Sequence, residues 1–301
     1  MQTDDSGATR QGLTRRAMLG AVALLPAASA LGQPAAGAPD PESLLAVHER
    51  ETGGRVGVFA RNLATGATLA WRAEERFPVC STFKASLAAC VLARVDRAEE
   101  RLDRVVPYGP ADILDYAPVA KQNLEQGSMT VAALCEAAVE LSDNICANLL
   151  LAAIGGPAAL TDFWRRNGDP VSRLDDPEPL LNRLPAVDDQ NTTMPLAMAG
   201  NLRRYLIGDV LSPASRQQLK DWMIGCKTGD ALLRAGLPKG WVVADKTGSC
   251  AKDIIGDIAV VWPYPDRPIL VCGYAQGGTP SLPQLQSVFA DLGRIVGATL
   301  G

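Results

Sequence analysis

The sequence predicts an α/β fold in two parts: a discontinuous α/β domain, with an antiparallel sheet flanked by helices, and an all-helical domain inserted into it. Apolar, β-branched runs of strand length stand at both ends of the chain, Arg55–Ala60 and Thr68–Trp71 early, Trp241–Lys246, Asp257–Trp262 and Ile269–Tyr274 late. Between them, apolar residues recur at helical spacing. A sheet that draws strands from both ends must close around the helical middle. The expected boundaries are 1–38 for an export signal and linker, 39–72 with 225–301 for the α/β domain, and 73–224 for the helical domain.

Asp40-Pro41 supplies an acidic N-cap and a proline at the first helical position, so a helix should run to about Glu51. Ala64-Thr65-Gly66 is the hairpin turn between the first two strands. Phe83, Leu87, Val91 and Val95 recur every four residues after Ser81, and Val131, Leu134, Cys135 and Ala138 form a second stripe. Ile145–Ile154 is an apolar helix stopped by Gly155-Gly156-Pro157, and Ser212-Pro213 caps another that reaches Trp222. The last helix, from about Pro283 to Val296, should bury Leu285, Val288, Phe289, Leu292 and Ile295. Asp169–Asn191 has neither period and carries four prolines, and a compact loop of that length usually serves function.

Composition excludes several classes. With 301 residues and 47% hydrophobic content the chain can bury a large core, and a net charge of −4 offers no basic surface for nucleic acid. His48 is the one histidine, so a multi-histidine zinc site is impossible and any Ser-His-Asp triad would have to use it. No Gly-x-Ser-x-Gly elbow is present. The seven cysteines form no C-x-x-C pair, so no metal knuckle is expected. Cys90, Cys135, Cys146 and Cys272 lie in apolar runs and read as small core residues, whereas Cys80 and Cys250 lie beside the motifs below.

Arg15-Arg16 directly precedes an apolar run from Ala17 to Leu31 that is too short to span a membrane, and Ala28-Ser29-Ala30 is a small-x-small cleavage signal. The expectation is export by the twin-arginine route to the periplasm, with no membrane association in the mature form.

Three strings carry the chemistry. Ser81-Thr82-Phe83-Lys84 places a hydroxyl and an amine one helical turn apart on one face. A serine becomes a nucleophile when a base takes its proton, and Lys84 can do so if burial lowers its pKa. Alone, this spacing is an ordinary exposed helix face. Ser142-Asp143-Asn144 joins two helical stripes and could relay a proton and bind an amide, or simply cap a helix. Lys246-Thr247-Gly248-Ser249 ends an apolar strand; an ammonium with two hydroxyls suits a carboxylate, although a lysine before a turn at a sheet edge would look the same. In this order, S-x-x-K, S-D-N and K-T-G form the trio of penicillin-recognising serine acyl-enzymes.

Over nearly its whole mature length the chain resembles the class A serine β-lactamases. The resemblance rests on Phe77–Lys84, Tyr116-Ala117-Pro118-Val119, Ser142-Asp143-Asn144 with Ala147–Leu151, Arg173-Leu174-Asp175, Glu178-Pro179 with Asn182, Asp221-Trp222-Met223 and Gly240-Trp241 through Gly248. It implies the serine β-lactamase/DD-peptidase fold and a monomer acting on small β-lactams without a cofactor. Ser81 would be the acylated nucleophile, with Lys84 or Glu178 as acylation base. Glu178 with Asn182 would activate the hydrolytic water, and Ser142 would protonate the leaving nitrogen. Tyr116 would wall the site, Asn144 would bind the side-chain amide, and Lys246, Thr247 and Ser249 would grip the carboxylate. The backbone N–H groups of Ser81 and Ser249 would form the oxyanion hole, and Asn148 would tie the Glu178 loop to the helices.

Two departures stand out. The loop clamp of the family, an arginine–aspartate pair, is matched here by Asp176 and Asn191, so an amide-to-carboxylate hydrogen bond is expected instead, and the cis Glu178–Pro179 bond becomes an open question. The carboxylate-binding arginine is matched by Leu232 and Ile255, with Arg234 and Lys252 nearby. Cys80 and Cys250 adjoin motifs that must face each other, which makes a disulfide reasonable in an oxidising compartment. At these positions the resemblance implies a disulfide and hydrolysis of carbapenems. The alternatives, a DD-peptidase or a penicillin-sensing domain, share the three strings but lack a water-activating carboxylate such as Glu178.

Overall fold

The computed structural model describes residues 41–183 and 189–301. The expected N-cap Asp40 and the export segment at 1–38 lie outside the described residues. In chain order the elements are α1 (Pro41–Thr52), β1 (Arg55–Asn62), β2 (Thr68–Trp71), β3 (Phe77–Pro78), a 3₁₀ turn at Cys80–Thr82, α2 (Phe83–Asp96), β4 (Val105–Pro107), α3 (Pro118–Gln122), β5 (Ser128–Thr130), α4 (Val131–Glu140), α5 (Asn144–Ile154) and α6 (Pro157–Arg166). There follow a 3₁₀ turn at Leu180–Asn182, β6 (Thr192–Thr193), α7 (Pro195–Leu206), α8 (Pro213–Ile224), α9 (Leu233–Gly236), β7 (Val242–Ala251), β8 (Ile254–Trp262), β9 (Ile269–Gln276) and α10 (Leu282–Thr299).

Both ends of the chain meet in one five-stranded sheet, β2-β1-β9-β8-β7, whose neighbours are all antiparallel. The first strand pairs with the last, Val58 opposite Gly273, which closes the fold around the helical middle. Strand period two divides the sheet's faces. Val56, Val58, Ala259, Val261, Ile269 and Val271 join α1 and α10 in one core. Ile258, Val260, Leu270, Cys272 and Tyr274 face the other way into the core shared with α2, α4, α5 and α8.

Helix α2 is buried on all sides, from Phe83 to Ala93. A helix without a polar face must pass through the middle of a helical layer. It therefore serves as the rigid axis on which Ser81 and Lys84 are mounted. Cys90, Cys135, Cys146 and Cys272 are buried free thiols, in line with their apolar surroundings. Among the described residues no single helix is long and apolar enough to cross a membrane.

Candidate active site

Ser81 does not begin α2 itself. It sits in the 3₁₀ turn before it, and Cys80 adopts φ 41°, a conformation costly for a non-glycine residue. The disulfide Cys80–Cys250 ties that residue to β7, with Cα atoms 5.5 Å apart. The expected pairing is therefore present.

Lys84 is fully buried and spends its donors on three acceptors. Its Nζ lies 2.8 Å from Ser142 O, 2.6 Å from Asn144 Oδ1 and 3.1 Å from Glu178 Oε1. Ser81 Oγ donates to the same Glu178 oxygen at 3.2 Å. Burial pushes the Lys84 pKa down, and Glu178 opposes that push. Ser142 holds φ 58° between α4 and α5, a strained geometry that turns its carbonyl towards Lys84 and its hydroxyl towards Lys246 Nζ at 3.1 Å. Asp143, by contrast, is structural: it caps α5 through Cys146 N and accepts from Val119 N and Ala120 N. The plain cap reading holds for the middle residue, while its neighbours on both sides face the two lysines.

The Asp169–Asn191 loop brings Glu178 to this point. Asn148 grips the Glu178 backbone from α5, donating to its carbonyl at 2.8 Å and accepting from its N–H at 2.9 Å. The Glu178–Pro179 bond is cis. Asn182 Nδ2 donates to Glu178 Oε2 at 2.8 Å, and Asn182 Oδ1 is a buried acceptor without a partner among the described residues. The expected amide clamp is in place, with Asn191 Nδ2 donating to Asp176 Oδ2 at 3.0 Å. Asn191 Oδ1 also accepts from the N–H groups of Asp175 and Asp176, which an arginine could not do.

The opposite wall corrects one expectation. Lys246-Thr247-Gly248-Ser249 does not end its strand; β7 continues to Ala251, paired with β8 through the whole motif and shifting register between Ser249 and Ala251. A Cβ on Gly248 would lie 3.0 Å from Ser81 N, so only glycine lets β7 approach the nucleophile this closely. Lys246 is fully buried, and burial lowers its pKa to about 8, with Lys84 pushing the same way. Thr247 is buried, Ser249 is exposed and Tyr116 is half exposed at the rim. Leu232 and Ile255 are core residues. Arg234 is committed to Asp245 and to the carbonyls of Met223, Ile224 and Val243, and Lys252 lies exposed in the β7–β8 turn.

One contributor escaped the sequence reading. Thr228 Oγ1 lies 2.5 Å from Thr247 Oγ1. Its signal was there: Lys227-Thr228-Gly229 is a second Lys-Thr-Gly string, nineteen residues before the first, but no strand-like run precedes it as Trp241–Ala244 precedes Lys246.

Comparison with known proteins bears on this geometry. A model of the β-lactamase enzyme family matches residues 42–300. The chain is 45% identical over 291 residues to β-lactamase L2 of Stenotrophomonas maltophilia, covering 95% of this chain and 96% of that protein. An ancestral (GNCA) class A β-lactamase structure is similar at TM-score 0.81 and 53% identity, over 85% of this chain and 98% of that one. The last common ancestor of Gram-negative bacteria (GNCA4) class A β-lactamase gives TM-score 0.83 and 53% identity, over 87% and 99%. Matches of this extent, on a fold whose three motif strings converge on one cleft, leave a single assignment: the chain belongs to the β-lactamase family and is a class A serine enzyme that hydrolyses β-lactams.

Proposed function

We propose that Ser81 is the acylated nucleophile and that Glu178 serves both half-reactions. The observation that carries this is the Ser81 Oγ–Glu178 Oε1 contact of 3.2 Å beside a Lys84 whose donors are all engaged. An ammonium with three acceptors supports the carboxylate electrostatically; it has no free lone pair to act as base. In acylation the Ser81 proton passes to Glu178, Oγ bonds the lactam carbonyl carbon, and the backbone N–H groups of Ser81 and Ser249 hold the oxyanion. The C–N bond breaks as Ser142, whose hydroxyl the Lys246 contact keeps oriented, gives its proton to the leaving nitrogen; Lys84 returns a proton to Ser142 Oγ 3.4 Å away and takes the one held by Glu178 at 3.1 Å, so that Glu178 is a carboxylate again. In deacylation Glu178 takes a proton from water, Asn182 Oδ1 accepts the other O–H, and the acyl–Oγ bond breaks with return of the proton to Ser81.

Lys246, Thr247 and Ser249 would hold the substrate carboxylate, with Thr228 presenting a further hydroxyl in place of the absent arginine. Asn144 would bind the substrate amide and Tyr116 would wall the mouth. The Cys80–Cys250 bridge supports a range that includes carbapenems, because it fixes the nucleophile's turn against the oxyanion strand. Arg15-Arg16 supports twin-arginine export of a monomer to the periplasm, and lysines at both positions should abolish periplasmic activity.

Mixing Glu178→Ala with benzylpenicillin tests the central assignment. Mass spectrometry should show Ser81 acylated more slowly than in the wild type and then held as a persistent adduct of one drug mass; acylation at the wild-type rate would refute the first role of Glu178, and turnover at the wild-type rate would refute both. Imipenem hydrolysis no faster than by Ser81→Ala would sink the carbapenem range alone.

A further inference from the structure

A second concavity lies at the far end of α2, about 20 Å along the helix from Ser81. Its volume is about 520 Å³, within the range of small-molecule sites. Arg94, Arg97 and Arg166 line it, with Ile154 and Phe163 as apolar walls and Cys90 among them. Among the described residues Glu99 is the one carboxylate in the lining, and both its oxygens are taken by the Arg97 fork. Two guanidiniums therefore remain without an anion. Arg94 places one N–H 3.5 Å from Ile154 O, and its buried Nε has no partner among the described residues. Arg166 makes no hydrogen bond or ion pair among the described residues.

Arginines at helix C-termini have a simpler use, capping free carbonyls and balancing the helix dipole. That use is largely filled here by backbone. Arg94 O accepts from Arg97 N and Glu99 N, Leu151 O from Gly156 N, and Trp164 O from Asn167 N and Asp169 N. The guanidinium donors are left facing the concavity. The Cys90 thiol senses them: burial raises its pKa to about 11, while Arg94, Arg166 and Arg97 pull it back.

We propose that this concavity is a peripheral binding site for a small carboxylate with an apolar tail. Its carboxylate accepts from the guanidiniums of Arg94 and Arg166, which line the concavity, and its tail packs between Ile154 and Phe163. An ion paired with guanidinium in a partly desolvated pocket is held by charge-assisted hydrogen bonds, and the apolar walls discriminate against inorganic anions.

Isothermal titration of the intact mature enzyme with 4-phenylbutyrate tests the site, with 4-phenylbutanol as the uncharged probe. The acid should bind saturably, and the alcohol at least about tenfold more weakly. Arg94→Gln/Arg166→Gln should weaken acid binding by about tenfold or more while hydrolysing benzylpenicillin at the wild-type rate, which also shows that it folds. Ala159→Trp, which fills the concavity with every charge intact, should block the acid as well. The proposal is overturned by absence of saturable binding up to about 10 mM, by equal affinity for acid and alcohol, by variants that bind like wild type, or by inhibition competitive with benzylpenicillin at the binding constant.

Discussion

The two walls of the cleft are built on different principles. On the helical wall the catalytic groups are already partnered: Lys84 and Glu178 have side chains with no exposed surface and form one network with Ser81, Ser142 and Asn144. On the strand wall, position comes from the covalent and backbone frame, through the β7–β8 ladder and the Cys80–Cys250 bridge, and Ser249 remains exposed. The difference matches the two tasks. Groups that move protons gain from preorganisation in a dry, satisfied network, because reorganisation at the moment of reaction raises the barrier. Groups that grip a substrate must keep donors available, so their geometry has to be held by something other than side-chain hydrogen bonds.

The largest expected effect strikes the helical wall. Lys84→Met keeps the volume but leaves Glu178 buried without its cation, and kcat/KM for benzylpenicillin should fall by roughly 10³-fold or more. A fall of less than about tenfold would mean that the network does not depend on the ammonium. The matching break on the strand wall is Cys80→Ser with Cys250→Ser. The bridge spans a separation of 170 residues, and its loss should cost about 2–4 kcal/mol in denaturant unfolding. Imipenem turnover should fall further than benzylpenicillin turnover, and equal losses would separate the bridge from specificity.

A third change sharpens the comparison through pH. Lys246 is charged below about pH 8 and neutral above it, so affinity for a carboxylate-bearing substrate should decline as pH rises through 8. Lys246→Arg should flatten that limb, because guanidinium stays protonated. The sign for stability is opposite. The folded pKa lies below the unfolded value of about 10.4, so between these limits the unfolded chain binds more protons, and this group's contribution to stability rises with pH. A melting temperature that falls with activity above pH 8 would assign the loss to unfolding. The smallest effect concerns the loop: Asn191→Ala removes the clamp on Asp176 and should cost about 1–3 kcal/mol. Deacylation should slow more than acylation, and parallel slowing of both would detach the clamp from Glu178.

Local pattern made much of this molecule legible. Apolar, β-branched runs located β1, β7, β8 and β9, recurring apolar residues located α2, α4 and α10, and cap or stop residues located α5 and α8, because each element carries its own geometry in local pattern. The chemical types in Ser81–Lys84, Ser142–Asn144 and Lys246–Ser249 announced an acyl-enzyme before any fold was known. Packing decided the rest. Lys227-Thr228-Gly229 and Lys246-Thr247-Gly248 are the same string, and only the sheet register places Thr247 opposite Asp257 and beside Ser81's turn. Arg234 could have faced the substrate, yet the buried Asp245 carboxylate claims it, since a charge inside the fold must be met there. Asn191 reaches Asp176 across fifteen residues of a loop without period. A sequence states which groups a segment offers and which face it buries; which distant groups meet depends on how the buried faces pack, and packing is a property of the whole chain.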